Sequence, residues 1–208
     1  MIFPRLAALV VLSVSLLAGC GDANVAHTYV GTSDIGVFTK VPSGWSSGQA
    51  DELVEENSVG QSVLVGAVQA FAAPGGSLDL ESLSVANSVP MGIVLRRVSP
   101  DDGTSILETS RNIWFPLDMA DVQGVLSYSE EPQALEMFDL PGEKLVFDAF
   151  GVEIPGSGEL GVLRVMQVTV FDASADEAYG ILVGCSVECF DKNRATIDSI
   201  VKHLRVKP

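Results

Sequence analysis

The sequence predicts an α+β domain, an antiparallel β-sheet with helices packed on its faces, preceded by a cleaved signal peptide. Three observations lead to this prediction. The last third of the chain alternates apolar strands with short turns, an amphipathic helix follows those strands, and the first twenty residues have the pattern of an export signal. The length that remains suits one domain with a sizeable core.

Residues 1–19 are predicted to be the signal peptide. Arg5 is the only charged residue before Asp22, and the twelve-residue stretch from Leu6 to Leu17 is apolar except for two serines. This stretch has the length of a signal-peptide core and is too short to cross a bilayer as a helix. The signal therefore indicates export.

The run Leu17-Ala18-Gly19-Cys20 resembles the lipobox of bacterial lipoproteins. In that family the cysteine takes a diacylglyceryl group, the peptide before it is removed, and the new amino end is often acylated. The resemblance implies lipidation of Cys20 and a cell-membrane location on the extracytoplasmic side, with the membrane as partner through the anchor. Two or three acyl chains would hold the protein stably, whereas one chain holds it reversibly. The alternative is an ordinary secretory signal that leaves Cys20 as a free thiol.

The residues after the signal divide into a tether and one domain. Residues 20–34 are predicted to be the lipidated cysteine and a flexible tether, because the segment after Cys20 is small and polar. No internal repeat and no Pro- or Gly-rich linker follows. Residues 35–208 are therefore predicted to form a single globular domain.

The charge of the chain limits its partners. The net charge is −15 and becomes −16 when Arg5 leaves with the signal peptide. Such an acidic chain argues against nucleic acid as a partner, because nucleic-acid binding needs basic stripes. It also argues against lying flat on anionic lipid. The acids are scattered, which is typical of a solvated surface.

Strand patterns follow one another through the domain. Val37 to Val41 predicts a strand that ends in a Pro-Ser-Gly-Trp turn, whose tryptophan is expected to be buried. Further strands are predicted at Ser62 to Phe71 and Met91 to Val98, and a helix is predicted after Ser77. Weaker strand patterns occupy residues 106–115 and 122–128.

The last sixty residues give the clearest pattern. Lys144 to Ile154, Arg164 to Phe171 and Tyr179 to Ser186 predict an antiparallel meander. In the middle strand, apolar residues alternate with Gln167 and Thr169, which is typical of a half-buried strand.

A final helix is predicted with Asp191 as its N-cap or in its first turn. Its apolar face has helical spacing and consists of Ile197, Ile200, Val201 and Leu204.

The run Phe38-Thr39-Lys40-Val41-Pro42-Ser43-Gly44-Trp45 resembles the F-x-x-x-P-x-G-W opening of the PsbP/Mog1-like group. This group includes actinobacterial lipoproteins of the LpqN type. The ending is also similar, with a strand GILVGCS and then a helix of pattern I-D-x-I-V-x-x-L. The resemblance implies an α/β sandwich around an antiparallel sheet, with Pro42, Gly44 and Trp45 as a structural motif. It implies an accessory or binding protein rather than an enzyme.

The sequence carries no recognisable catalytic, metal or cofactor motif. It has no G-x-S-x-G, no H-E-x-x-H, no Walker loop and no dinucleotide fingerprint. Of the two histidines, His27 lies in the predicted tether and His203 at the end of the last helix. Residues Asp172 to Asp176 space oxygen ligands as an EF-hand does, but Glu177 stands where that loop needs glycine. We therefore predict a solvated turn there, with no catalytic residue, metal or cofactor in the chain.

The aromatic residues allow two interpretations. They fill the core, which is the more common use, or they line a pocket for an apolar ligand. The residues in question are Trp45, Trp114, Phe115, Phe138, Phe147, Phe150 and Phe171.

Cys185 and Cys189 stand four residues apart near the end of the chain. Zinc needs about four ligands and a redox pair is normally C-x-x-C, so neither fits. Outside the cytosol a disulfide persists, and a lipidated Cys20 does not compete for either thiol. A bridge needs Cα atoms about 4.4–6.8 Å apart, so the strand must end near Ser186. A Cys185–Cys189 disulfide is favoured, and two unpaired thiols are the alternative.

These features together predict a non-enzymatic, lipid-anchored envelope protein that binds a partner protein or an apolar envelope ligand. The alternative is a membrane-tethered hydrolase that uses carboxylates no motif identifies. The absence of nucleophile and metal motifs favours the first.

Overall fold

A computed structural model describes residues 26–49, 54–56, 62–98, 126–174 and 177–207. The described part is mostly β-sheet with one α-helix near the end of the chain. The strands are β1 His27–Val30, β2 Val37–Pro42, β3 Ser46–Gln49, β4 Val54–Glu56, β5 Ser62–Ala72, β6 Met91–Val98, β7 Leu126–Tyr128, β8 Gln133–Met137, β9 Leu140–Glu153, β10 Leu160–Phe171, β11 Glu177–Ser186 and β12 Arg205–Val206; the helix α1 spans Val187–Lys202, and a 3-10 helix spans Leu80–Ser84.

The strands form two antiparallel sheets. The large sheet has the order β3-β5-β6-β11-β10-β9-β7, with β4 paired to β5 and β8 paired to β9. The small sheet has the order β1-β2-β12. The predicted meander is confirmed, because β9, β10 and β11 are consecutive neighbours at the centre of the large sheet.

Both faces of the large sheet are buried. On β11, Ile181 and Val183 face the apolar cluster that contains the helix residues Phe190 and Ile197, whereas Leu182 faces a second cluster on the opposite side. This two-sided burial explains why β11 has a nearly continuous apolar sequence.

The prediction that β10 is a half-buried strand is wrong. Gln167 and Thr169 are 1% and 2% exposed, and the Gln167 side-chain amide donates a hydrogen bond to the Thr169 hydroxyl at 3.2 Å. Polar side chains on a strand therefore mark a buried pair here instead of a solvated face.

The helix α1 begins four residues before Asp191, so the predicted N-cap is also wrong. Ser186 is the N-cap, and its side-chain oxygen accepts a hydrogen bond from the Cys189 backbone N–H at 3.4 Å. A serine in this position satisfies one of the free N–H groups of the first helical turn. The predicted apolar face is confirmed at Ile197 and Ile200, which are buried.

Ion pairs hold α1 against the large sheet. Arg164 on β10 binds Asp148 on β9 at 2.6 Å and Asp191 on the helix at 2.9 Å. Arg194 on the helix binds Glu130, and its guanidinium lies 5.6 Å from the ring centre of the buried Phe190. These contacts orient the helix that leads into β12.

More than one α-helix was predicted on the faces of the sheet, and the described residues contain only α1. After Ser77 the chain forms only the short 3-10 helix Leu80–Ser84, and beyond it the Ala86 backbone N–H donates to the Glu153 carbonyl of β9 at 2.8 Å. Within the described ranges, no helix is long and apolar enough to cross a membrane. The strand predicted at residues 106–115 lies outside the described residues.

The predicted tether extends too far. Residues from His27 on belong to the fold, because β1 pairs with β2 from His27 to Val30 and Val30 is buried. The first three residues of β1 are exposed and only Val30 is buried, so this edge strand has no alternating apolar pattern to distinguish it from a linker.

Candidate functional site

A polar cleft of about 340 Å³ opens between the small sheet and the end of the β6–β11 pair at which β11 begins. The residues that line this polar cleft are Ser33, Ile35, Gly36, Arg96, Glu177, Tyr179 and Lys207.

The sheet register brings the charged residues of the cleft together. Arg96 on β6 pairs directly with Tyr179 on β11, and Glu177 lies two residues before Tyr179 on the same face. The Arg96 Nε donates to Glu177 Oε2 at 3.1 Å, and a second guanidinium nitrogen donates to Glu177 Oε1. The Tyr179 hydroxyl also donates to Glu177. The carboxylate is thus held by two neighbours.

The loop between β1 and β2 forms the opposite wall. The third guanidinium nitrogen of Arg96 donates to the Asp34 carbonyl at 3.4 Å, which connects the large sheet to this loop. Gly36 has a φ of +69° and its carbonyl accepts a hydrogen bond from the Lys207 backbone N–H at 2.7 Å. A Cβ at Gly36 would lie 2.8 Å from the Lys207 carbonyl oxygen, so only glycine allows this approach.

The protonation states in the cleft follow from these contacts. The hydrogen bonds from Arg96 hold the pKa of Glu177 below its ordinary value. Burial, and then the hydrogen bond to Glu177, raises the pKa of Tyr179 to about 12. Both pKa values move away from neutrality, so the carboxylate stays ionised and the phenol stays protonated at neutral pH. Efficient general acid–base groups have pKa values near the working pH, which these two lack.

The two cysteines lie where β11 meets α1. Cys185 and Cys189 form a disulfide with their Cα atoms 5.9 Å apart. Cys189 belongs to the helix and not to a loop. It lies in the first turn of α1 and is 6% exposed, because the helix begins directly after the strand.

The turn after β2 contains the motif predicted from the sequence. The Trp45 backbone N–H donates to the Pro42 carbonyl at 3.2 Å, and Gly44 has a φ of +91°, which favours glycine. Trp45 is half-buried instead of fully buried, and its ring lies 6.2 Å from that of Phe71. The motif therefore shapes the turn and covers one edge of the apolar cluster.

The remaining residues of interest divide between core and surface. Phe147 and Phe171 are buried, whereas Phe138 and Phe150 are 49% and 44% exposed. The described aromatic residues therefore do not line one shared pocket, and Trp114, Phe115 and Cys20 lie outside the described residues.

The two histidines meet across the small sheet. The rings of His27 and His203 have their centres 5.7 Å apart, and the Nδ1 of His203 lies 2.7 Å from the Ser199 carbonyl oxygen. In the part of the chain that the structure describes, no group of three or more metal-binding side chains occurs.

The polar cleft was not predicted from the sequence. Arg96 interrupts an apolar strand, and Glu177 and Tyr179 share one face of the next strand in the sheet. An arginine inside an apolar strand signals a carboxylate partner on a neighbouring strand. The identity of that neighbour depends on the β6–β11 pairing, which joins segments about eighty residues apart.

Comparison with known proteins supports a PsbP-like fold. The structure of cyanobacterial PsbP (CyanoP) from Synechocystis is similar, with a TM-score of 0.53 and 13% identity over 92% of this chain and 99% of that one. At this identity the likeness shows the fold alone. The α/β arrangement that the opening and ending motifs implied is thereby confirmed.

A further solved structure is similar at a lower level. It is LpqN of Mycobacterium tuberculosis, described as involved in cell envelope biogenesis, with a TM-score of 0.47 and 13% identity over 90% of this chain and 94% of that one. No family model matches the chain, and no curated protein matches its sequence.

Proposed function

We propose that this chain is a non-enzymatic accessory protein, lipid-anchored through Cys20 on the extracytoplasmic side of the cell membrane, which binds a partner protein at the polar cleft. The resemblance of Leu17-Ala18-Gly19-Cys20 to a lipobox supports the anchor. The geometry of the cleft supports the binding role.

The observation that carries the proposal is the disulfide between Cys185 and Cys189. Disulfides persist in oxidising compartments outside the cytosol, so a structural bridge in the core supports export. Export in turn supports the interpretation of residues 1–19 as a signal that ends at a lipidated cysteine. The bridge uses both other cysteines, which leaves Cys20 available for acylation.

The chemistry of the cleft supports binding of a polar partner. Arg96 and Glu177 form an ion pair in the cleft wall, the Tyr179 hydroxyl bonds to Glu177, and Lys207 adds a cation at the rim. A partner that offers carboxylates and backbone groups fits such a lining better than an apolar ligand does. The pKa values of Glu177 and Tyr179 are displaced from neutrality, which favours a fixed recognition surface over acid–base catalysis.

Replacement of Cys20 tests the anchor. The Cys20→Ala variant should lose labelling by a fatty-acid analogue and should leave the membrane fraction at high salt. The matched control is the double variant Cys185→Ala/Cys189→Ala, which should keep both the label and the membrane location. Retention of Cys20→Ala on membranes at high salt would contradict the anchor.

Crosslinking in intact cells tests the binding role. A photo-reactive residue at Ser33, which is exposed and lines the cleft, should give one discrete crosslinked protein. The same residue at the exposed Ser157, in the β9–β10 turn, is the control and should not give that product. Equal products from both positions would contradict a partner site at the cleft.

A further inference from the structure

The outer face of the small sheet has a composition unlike that of the whole chain. Val37, Thr39 and Val41 of β2 point into the core, so the residues between them point outwards. The register of β1 and β12 against β2 places their alternate residues on the same outer side. This basic face consists of His27, Tyr29, Phe38, Lys40 and Arg205. Lys207 follows β12, lines the polar cleft and lies at the margin of the face.

The basic face carries two permanent cations, Lys40 and Arg205, and no carboxylate, and Lys207 adds a cation at its margin. Elsewhere in the described chain, cations such as Arg96, Arg164 and Arg194 are paired with acids. Among the described residues, no ion pair engages Lys40, Arg205 or Lys207. Two acids, Asp34 and Asp139, lie only in turns at the margin of the face. The face is therefore positive on a chain whose net charge is −15.

Aromatic rings accompany these cations. The Lys40 ammonium lies 5.2 Å from the ring centre of Tyr29, and the Arg205 guanidinium lies 5.5 Å from that of Phe138. Tyr29 is 68% exposed and Phe138 is 49% exposed. Amphipathic aromatic side chains beside Lys and Arg are the composition that favours the interface between water and lipid headgroups.

The chain before the fold restricts where this face can be. The strand β1 begins at His27, seven residues after Cys20. Even a fully extended segment of that length reaches only about 25 Å. An anchor at Cys20 would therefore keep the small sheet next to the bilayer, within roughly two to three Debye lengths of its surface at physiological salt.

We propose that the basic face lies on the anionic headgroups of the membrane in which Cys20 is anchored. This inference rests on the lipid anchor of the proposed function. The net charge of the chain argued against flat binding to anionic lipid, but net charge averages over surfaces that face in different directions. A local cationic face next to the anchor attracts anionic lipid while the acidic remainder faces away.

Fluorescence quenching tests the orientation of the anchored protein. The lipidated protein, purified from bacterial membranes, is placed in vesicles of equal parts phosphatidylcholine and phosphatidylglycerol that contain a headgroup quencher. A dye on Ser43→Cys, exposed beside the basic face, should be quenched. The control dye on the exposed Ser88→Cys should not be quenched. Ser88 follows Asn87, whose carbonyl accepts a hydrogen bond from the Ser186 N–H at the N-terminus of α1. This end of the helix lies about 24 Å from the C-terminal end, which leads into the small sheet.

Matched lysine variants test the electrostatic cause. Each Lys or Arg near an anionic surface raises the equilibrium constant for contact about fivefold, so Lys40→Gln should lower this constant about fivefold and Lys40→Gln/Arg205→Gln about 25-fold. Lys192→Gln is the control, because Lys192 is an exposed lysine near the N-terminus of α1. Its replacement should leave the quenching unchanged. Equal melting temperatures of the variants would show that the fold is intact.

The outcomes separate the two proposals. If the protein leaves the vesicles in a high-salt flotation, the anchor is wrong and the orientation falls with it. If the protein stays on the vesicles but the two dyes are quenched equally, only the orientation is wrong. The orientation would also be wrong if quenching at Ser43→Cys were the same in pure phosphatidylcholine. It would be wrong as well if Lys192→Gln lost as much quenching as Lys40→Gln.

Discussion

Removal of the Cys185–Cys189 disulfide should destabilise the domain by a small and calculable amount. The bridge closes a loop with a sequence separation of four at the junction of β11 and α1. In the chain-entropy model, so short a loop contributes only about 2 kcal/mol to the free energy of unfolding. Cys185→Ala/Cys189→Ala should therefore lose about 2 kcal/mol and still fold, because the sheet and helix keep their other contacts.

Single serine replacements should differ according to their surroundings. Cys185 is 0% exposed between apolar strand residues, so a hydroxyl there costs about 1–3 kcal/mol more. Cys189 has a polar neighbour, because the side-chain amide of Asn193 lies 3.8 Å from its Sγ. A hydroxyl at position 189 can use that amide. Cys185→Ser should therefore be less stable than Cys189→Ser, although both positions are buried.

Urea unfolding with and without reductant measures these differences. Dithiothreitol should lower the midpoint of the wild-type domain by the equivalent of about 2 kcal/mol and should leave the slope m nearly unchanged. The midpoint of Cys185→Ala/Cys189→Ala should not respond to reductant. If oxidised wild-type protein has no titratable thiol and its urea midpoint does not change with dithiothreitol, the disulfide does not contribute the loop-closure entropy expected here.

Three further predictions concern single positions. Trp45→Ala should cost about 2 kcal/mol in thermal or urea unfolding, less than the roughly 3–5 kcal/mol of a fully buried aromatic, because Trp45 is half-buried; no change would place the ring in solvent. Gly36→Ala should destabilise more than Gly156→Ala, because both have positive φ but only a Cβ at Gly36 meets backbone, at Lys207; equal losses would contradict this close approach. Because the pKa of Tyr179 is raised from 10.0 to about 12, its stabilising contribution should be full below pH 10 and lost as the pH rises to 12. The Tyr179→Phe variant should lack this part of the alkaline loss of stability, and an unchanged pH profile would contradict the shift.

Local patterns predicted much of the fold. Met91 to Val98 was predicted as a strand with the bounds that β6 has. The three strands of the meander each begin a few residues earlier than predicted, and β9 ends at Glu153 instead of Ile154. Apolar runs bounded by turn residues are sufficient for this, because strand formation and burial depend on the same side chains.

The errors arose where a contact outside the segment decides the structure. Gln167 and Thr169 resemble a solvated face in the sequence, but the sheet is covered on both sides and the two residues pair with each other. The start of α1 was placed at Asp191, because the sequence alone does not show that the Ser186 hydroxyl caps the helix. Such decisions depend on packing between distant segments, which periodicity does not encode.

The candidate sites also divide into one that depends on nearby residues and others that depend on distant strands coming together. The disulfide was favoured from cysteine spacing and compartment, and the structure contains it. The polar cleft was not predicted, because Arg96 and Glu177 become neighbours only through the β6–β11 pairing. The basic face was hidden by the net charge, since a sum over the chain does not report which cations share a surface.

The intact mass of the protein from bacterial membranes tests the central claim most directly. We expect a chain that begins at Cys20, carries diacylglyceryl and acyl groups on that residue, and gains two hydrogens when Cys185 and Cys189 are reduced. A chain that still begins at Met1, or one that begins at Cys20 without lipid, would contradict the claim that this domain works on a lipid anchor.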